Sequence, residues 1–191
     1  MKSKNCVGKV DFSLRKASIF DVPFILSLVL EGAEGGAFSH KFLGLKGPQR
    51  LLWFVFTGIF LSNRLFQKPP LIASWYVVSG PDGEDLGFLK TTTSVDCHQQ
   101  WHLELLSIAP HYRNNGIGTA VTRRFIASAP DGTSVLVSCT KFARGMQHIL
   151  KKIGFHRKNI AGQASSLEQY TLIVAEERGQ KDAMSRPGKV T

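Results

Sequence analysis

The stretch "SIAPHYRNNGIGTAVTRRF", Ser107 to Phe125, decides how the rest of the chain is read. Arg113 to Gly118 supply one Arg, two Asn and two Gly, and an apolar-periodic segment follows at once. The β-rich run "WHLELLSIA" (Trp101 to Ala109) comes just before it. A strand, then Pro110, then "RNNGIG", then a helix leaves bare backbone where the helix begins. Such an N-terminus presents unpaired N–H groups and the positive end of the helix dipole. Glycine lets a phosphate approach that backbone closely, and Arg113 adds a charge that can pair with it. The pattern therefore predicts a pyrophosphate cradle, although a plain tight turn would use the same residues. Two commoner phosphate loops are excluded. A Walker loop needs Gly-Lys-Ser/Thr, and the Lys is missing. A dinucleotide fingerprint needs a third Gly and a place in the first βαβ unit.

Working outward, "KVDFSLRKAS" (Lys9 to Ser18) alternates apolar residues and reads as a strand. Asp21 is placed to cap a helix, with Pro23 in its first turn. That helix runs through "VPFILSLVL" towards Gly32, Gly35 and Gly36. A second helix is expected from Pro48 to about Phe66. Its run "LLWFVFTGIFL" (Leu51 to Leu61) is about half of what a bilayer span needs, so a buried helix is expected, with a membrane-surface helix as the alternative. "LIASWYVVSG" and "DLGFLKTTTS" flank "PDGE" and predict a hairpin. Beyond the opening stretch come a strand at Ser134 to Thr140, a helix at Arg144 to Ile153 with Gly154 as its C-cap, and two closing strands, "FHRKN" and "YTLIVAEE". The order β-α-α-β-β-β-α-β-α-β-β implies a mixed sheet with helices on both faces.

Composition sets the frame. The chain has 191 residues and is 43% hydrophobic, as a globular domain is. One domain is expected over residues 1–176. Residues 177–191, rich in Lys and Arg, read as a disordered basic tail. The net charge of +10 favours polyanionic partners without choosing among nucleotide cofactor, nucleic acid and acidic lipid. The first twelve residues show no secretory pattern, and three widely spaced cysteines form no disulfide framework, so a cytoplasmic location is expected. Cys97, His98 and His102 look clustered, but His98 and His102 would lie about 13 Å apart on an extended strand, so no metal site is expected.

"LSIAPHYRNNGIGTAV" resembles the acetyl-coenzyme-A signature of the GNAT superfamily of N-acetyltransferases: an apolar strand, then Arg/Gln-x-x-Gly-x-Gly/Ala, filled here by Arg113, Gly116 and Gly118. "HILKKIGFHR" resembles the family's second motif, a helix ending in Gly-Phe, here Gly154 and Phe155. The resemblance covers roughly residues 9 to 176. It implies a mixed α/β (α+β) fold: a mostly antiparallel sheet of six to seven strands whose central pair splays apart. Backbone groups at Leu106, Ser107 and Ile108 would bind the pantetheine arm of acetyl-coenzyme A. Arg113, Asn114, Asn115, Gly116, Ile117, Gly118 and Thr119 would hold its pyrophosphate. The implied activity is acetyl transfer to a primary amine of a small molecule or peptide.

That chemistry needs a base for the amine and a polarised thioester. His102 and Glu104 lie two apart on one strand and so share a face. An imidazole beside a carboxylate is a reasonable proton relay, and the resemblance places the catalytic base at these two positions. The family's usual acid, a Tyr four residues before the Gly of Gly-Phe, is replaced by Leu150; Ser107, Cys139 and His148 are the substitutes considered. Glu31, Glu34 and His40 are candidates to meet a cationic acceptor, since the resemblance brings the acceptor in across Glu31 to Lys46 and Asn159 to Gln169. Monomer and homodimer both remain open. So do two other readings: acetylation of aminoacyl-tRNA, and a coenzyme-A-binding module without catalysis.

Overall fold

The computed structural model describes residues 11–38, 47–62, 71–94, 100–158 and 167–174. His40, Cys6, Cys97, His98, the basic tail and most of Asn159 to Gln169 lie outside the described residues.

Alternating apolar residues build the sheet first. β1 (Ser13–Lys16), β2 (Leu71–Ser79), β3 (Asp85–Ser94), β4 (Gln100–Ile108), β5 (Ser134–Thr140), β6 (His156–Lys158) and β7 (Leu167–Ile173) form one seven-stranded sheet in the order β1-β2-β3-β4-β5-β7-β6. Every neighbouring pair is antiparallel except β4 and β5. The predicted β2–β3 hairpin closes at "PDGE", with Gly83 at φ 83°, where a side chain would be strained.

Helices cover both faces. α1 (Val22–Glu34) and α2 (Gly47–Ser62) lie on one side. Their Ile25, Val29, Val55 and Ile59 pack with Trp75, Val77 and Phe88 of the sheet. α3 (Ile117–Ala127) and α4 (Arg144–Ile153) lie on the other. There Val121, Phe125 and Leu150 meet Leu103, Val135 and Val137. Each fully buried side chain of this size contributes about 1.5–3 kcal/mol of apolar transfer.

Two expectations need correcting. α2 is not wholly buried. Leu51, Val55 and Ile59 face the sheet, but Leu52, Trp53, Phe56 and Phe60 are exposed, because an outer-layer helix has a neighbour on one side only. No helix among the described residues is long and apolar enough to cross a membrane. Nor does Asp21 cap α1 through its side chain. Its carboxylate instead accepts from both Arg15 guanidinium nitrogens (2.8 and 2.7 Å) and from the N–H and Oγ of Ser18 (2.7 and 2.9 Å).

The feature that positions the site is the β4–β5 pair. These strands run parallel and pair only from Gln100–Ser134 to Leu103–Val137. Beyond that point β4 continues to Ile108 against β3 alone, and β5 continues to Thr140 against β7 alone. The sheet therefore opens into a wedge whose apex is Leu103 and Val137.

Candidate active site

A bulge shapes β4 at the wedge apex. Thr91 pairs with Leu103 and Lys90 with Leu105, so Glu104 has no partner across the ladder. The extra residue shifts the alternation. Leu103, Leu106 and Ile108 face the α3–α4 side, while Leu105 faces α1 and α2. Glu104 stays on the α1–α2 side, where its carboxylate accepts from Lys90 Nζ and Thr92 Oγ1. The Lys90 ammonium also sits 4.7 Å from the Phe54 ring centre and 5.5 Å from that of Trp75. Burial pushes the Glu104 carboxyl up, but the bonds from Lys90 and Thr92, with the charges of Lys90 and His102, outweigh it and leave it below the usual range.

Past Ile108 the chain makes one 3-10 turn, Pro110–Tyr112, and enters the loop. Asn114 and Gly116 both have positive φ, 64° and 79°. Two left-handed residues so close together turn successive N–H groups towards one side, as an anion-binding nest does. Ala120 N is the first of the helix to find an acceptor, at Gly116 O (3.0 Å). Among the described residues, no acceptor meets the N–H groups of Asn114 to Thr119. Gly118 has a second reason to be small. A Cβ there would lie 3.1 Å from Ile149 Cδ1, where α3 meets α4.

The Arg113 side chain is exposed but folds back onto the protein. Its Nε donates to Ile108 O (2.8 Å), and its two terminal nitrogens donate to Glu31 Oε1 and Oε2 (2.8 and 3.1 Å). The backbone N–H of Arg113 is also used, on Pro110 O at 3.2 Å. Arg113 thus braces the loop against α1, and the free donors begin at Asn114.

The wedge, the loop and the ends of α1 and α4 enclose a cleft of about 920 Å³. That is near the upper end of ordinary ligand sites. His102, Glu104, Leu106, Ser107, Ile108, Arg113, Asn114, Gly116, Ile117, Gly118, Thr119 and Glu31 all line it. Asn115 and Glu34 do not.

No protein-family model matches the sequence, and no curated protein sequence matches it. Solved structures do match, at low identity. The spermidine N-acetyltransferase from Vibrio cholerae, in complex with CoA and spermine, has a TM-score of 0.61 at 13% identity, over 85% of this chain and 95% of that one. An acetyltransferase from Thermus thermophilus has 0.62 at 16%, over 84% and 96%. An acetyltransferase of the GNAT family from Bacillus cereus has 0.55 at 16%, over 85% and 97%. The chain has the GNAT fold. The splayed β4–β5 pair, the order of elements and the helices on both faces are those expected of it.

Within the GNAT fold, one sequence-based placement is corrected. Leu150 does not stand at the cleft in place of a Tyr. It is fully buried in the core between α4 and the sheet. α4 instead turns Gly145, His148, Ile149 and Lys152 to the cleft, as 3.6-residue spacing allows. Ser107, Cys139 and His148, the substitutes considered for the acid, all line it. Burial, followed by the Glu168 charge, pushes the Cys139 thiol up to about 11, so it stays protonated at neutral pH and is no thiolate nucleophile. Sequence reasoning missed Lys90 and Thr92 as partners of Glu104, because only the register of β3 against β4 brings them there. Phe38 and Phe142, also at the cleft, carry no motif that would mark them. Among the described residues, no group of His, Cys, Asp and Glu could hold a metal ion.

Proposed function

We propose that the protein is an acetyl-coenzyme-A-dependent N-acetyltransferase, transferring acetyl to a primary amine by direct attack with both substrates bound. The observation that carries this reading is the run of N–H groups from Asn114 to Thr119, which meet no acceptor among the described residues, at the mouth of a wedge-shaped cleft. A pyrophosphate fits such a row of donors. The edge of β4 from Glu104 to Ile108, released by β5, offers backbone groups to an extended amide-bearing arm. Acetyl-coenzyme A would supply the activated thioester.

The residues of the chain would then do the following. The loop and β4 hold the donor and fix its reactive end near the wedge apex. His102, which lines the cleft, takes the proton that makes the amine nucleophilic. The amine nitrogen attacks the thioester carbon, a C–N bond forms, and the C–S bond breaks with its electron pair on sulfur. The sulfur leaves as a thiolate, a fair leaving group because its thiol has an ordinary pKa of about 8.5, and takes up the second proton, which the acylated nitrogen releases. Glu104, held ionised by Lys90 and Thr92, favours the charged imidazole through its negative charge rather than serving as the base itself.

Calorimetric titration of acetyl-coenzyme A, with Gly116→Asp beside the wild type, tests the reading. Aspartate adds negative charge to the cradle and strain at φ 79°. Micromolar binding by the wild type and at least a hundredfold loss in the variant are expected. Equal affinity in the two, or no binding by either, overturns it.

A further inference from the structure

The part of the cleft left for the acceptor is walled by aromatic rings, and its carboxylates are already taken. With phosphates at the α3 N-terminus and the thioester at the wedge apex, the remaining space lies between the end of α1 and the ends of β5 and β7. Two phenylalanines stand there, each seated on a glycine of the α1 end. A Cβ on Gly32 would lie 2.5 Å from Phe38 Cδ2, and one on Gly36 would lie 3.3 Å from Phe142 Cβ. Thr140 Oγ1 donates to Gly36 O (2.7 Å) and ties that end to β5. Leu167 extends the apolar wall.

The charges point the same way. Only two described carboxylates line the cleft, Glu31 and Glu104. Glu31 is held in a two-point pair by Arg113, and Glu104 by Lys90. On the α4 side, Arg144 and Lys152 line the cleft with no acidic partner among the described residues.

We propose that the acceptor is a monoamine carried on an aromatic or aliphatic body, and that polyamines are poor acceptors. This deepens the transfer reading above and rests on it. An apolar body gains by displacing water from the rings. A second ammonium would be desolvated near Arg144 and Lys152, with no unpaired carboxylate among the described cleft residues to meet it, so the site selects against it by an unmet charge. Glu31, expected from sequence to receive a cation, instead steadies the phosphate loop.

The test is a matched pair of acceptors with the full chain and acetyl-coenzyme A. Hexylamine and 1,6-diaminohexane have the same chain length and differ by one ammonium. Phenethylamine and spermidine extend the comparison. The expected kcat/KM is at least tenfold higher for hexylamine than for diaminohexane, highest for phenethylamine and lowest for spermidine. Phe142→Ala should raise KM for phenethylamine about tenfold and leave the Kd of acetyl-coenzyme A unchanged; Phe142→Leu should recover most of the loss. A diamine or spermidine used as well as the monoamines overturns the proposal. So does a Phe142→Ala variant with unchanged KM. Binding of acetyl-coenzyme A with no transfer to any of the four amines overturns the transfer reading itself, and this inference with it.

Discussion

At the scale of single residues, the proposed reaction gives His102 and Glu104 different duties despite their lying two apart. Glu104 is held below the usual carboxylate range, so its own titration cannot produce an acid limb near neutrality. An imidazole can. His102→Gln is therefore expected to lower kcat/KM by about 10²–10⁴-fold and to abolish the limb, within the usual worth of a general base. Glu104→Gln should keep the limb but lower stability by about 1–3 kcal/mol. It strips the counter-charge from a Lys90 side chain only 12% exposed, while the partial exposure of Glu104 moderates the cost. A pH–rate profile and a urea melt on each variant separate the two roles. A limb that survives in His102→Gln would remove His102 as the base.

At the scale of elements, what the sequence revealed and what it hid divide along a physical line. Periodicity and turn chemistry are local, so the element order, the β2–β3 hairpin and the glycine-bearing loop between β4 and α3 were all legible. The limits of β5 and α4 agree with the spacing to the residue. Pairing and rotation are not local. The bond from Lys90 to Glu104 depends on a bulge in register, and that from Arg113 to Glu31 joins residues 82 apart. Neither leaves a signature in a short window. Leu150 shows the same limit on a helix. Its distance from Gly154 matched the motif, but only packing fixes which way α4 is turned, and it turns Leu150 inward. Leu150→Tyr is accordingly expected to destabilise by about 1–3 kcal/mol through overpacking, with no gain in turnover. A stable, more active variant would place the side chain in the cleft instead.

At the scale of the whole molecule, acid should weaken the fold through two mechanisms that salt can tell apart. The first is local. Arg15 holds the Asp21 carboxyl below its usual value by two hydrogen bonds, burial opposes this, and Ser18 adds two further bonds. Because the native value lies below the unfolded one, the unfolded chain binds more protons in acid. Asp21 therefore adds its full stability above about pH 4 and loses it as pH falls through the depressed value. The second is global. The chain carries +10 at pH 7, and each protonated carboxylate removes one more negative charge. Salt screens the global repulsion between exposed charges but reaches the buried Asp21 carboxylate less. Urea midpoints measured from pH 2.5 to 6, at low and high salt, should thus fall with acid in both, less steeply at high salt. Asp21→Asn should be less stable at pH 6 by about 1–3 kcal/mol, a range reduced because Arg15 is half exposed. Its midpoint should also vary less between pH 2.5 and 4 than that of the wild type at either salt concentration. A variant curve parallel to the wild type would mean that the acid sensitivity is global charge alone, with Arg15 and Asp21 contributing nothing that titrates.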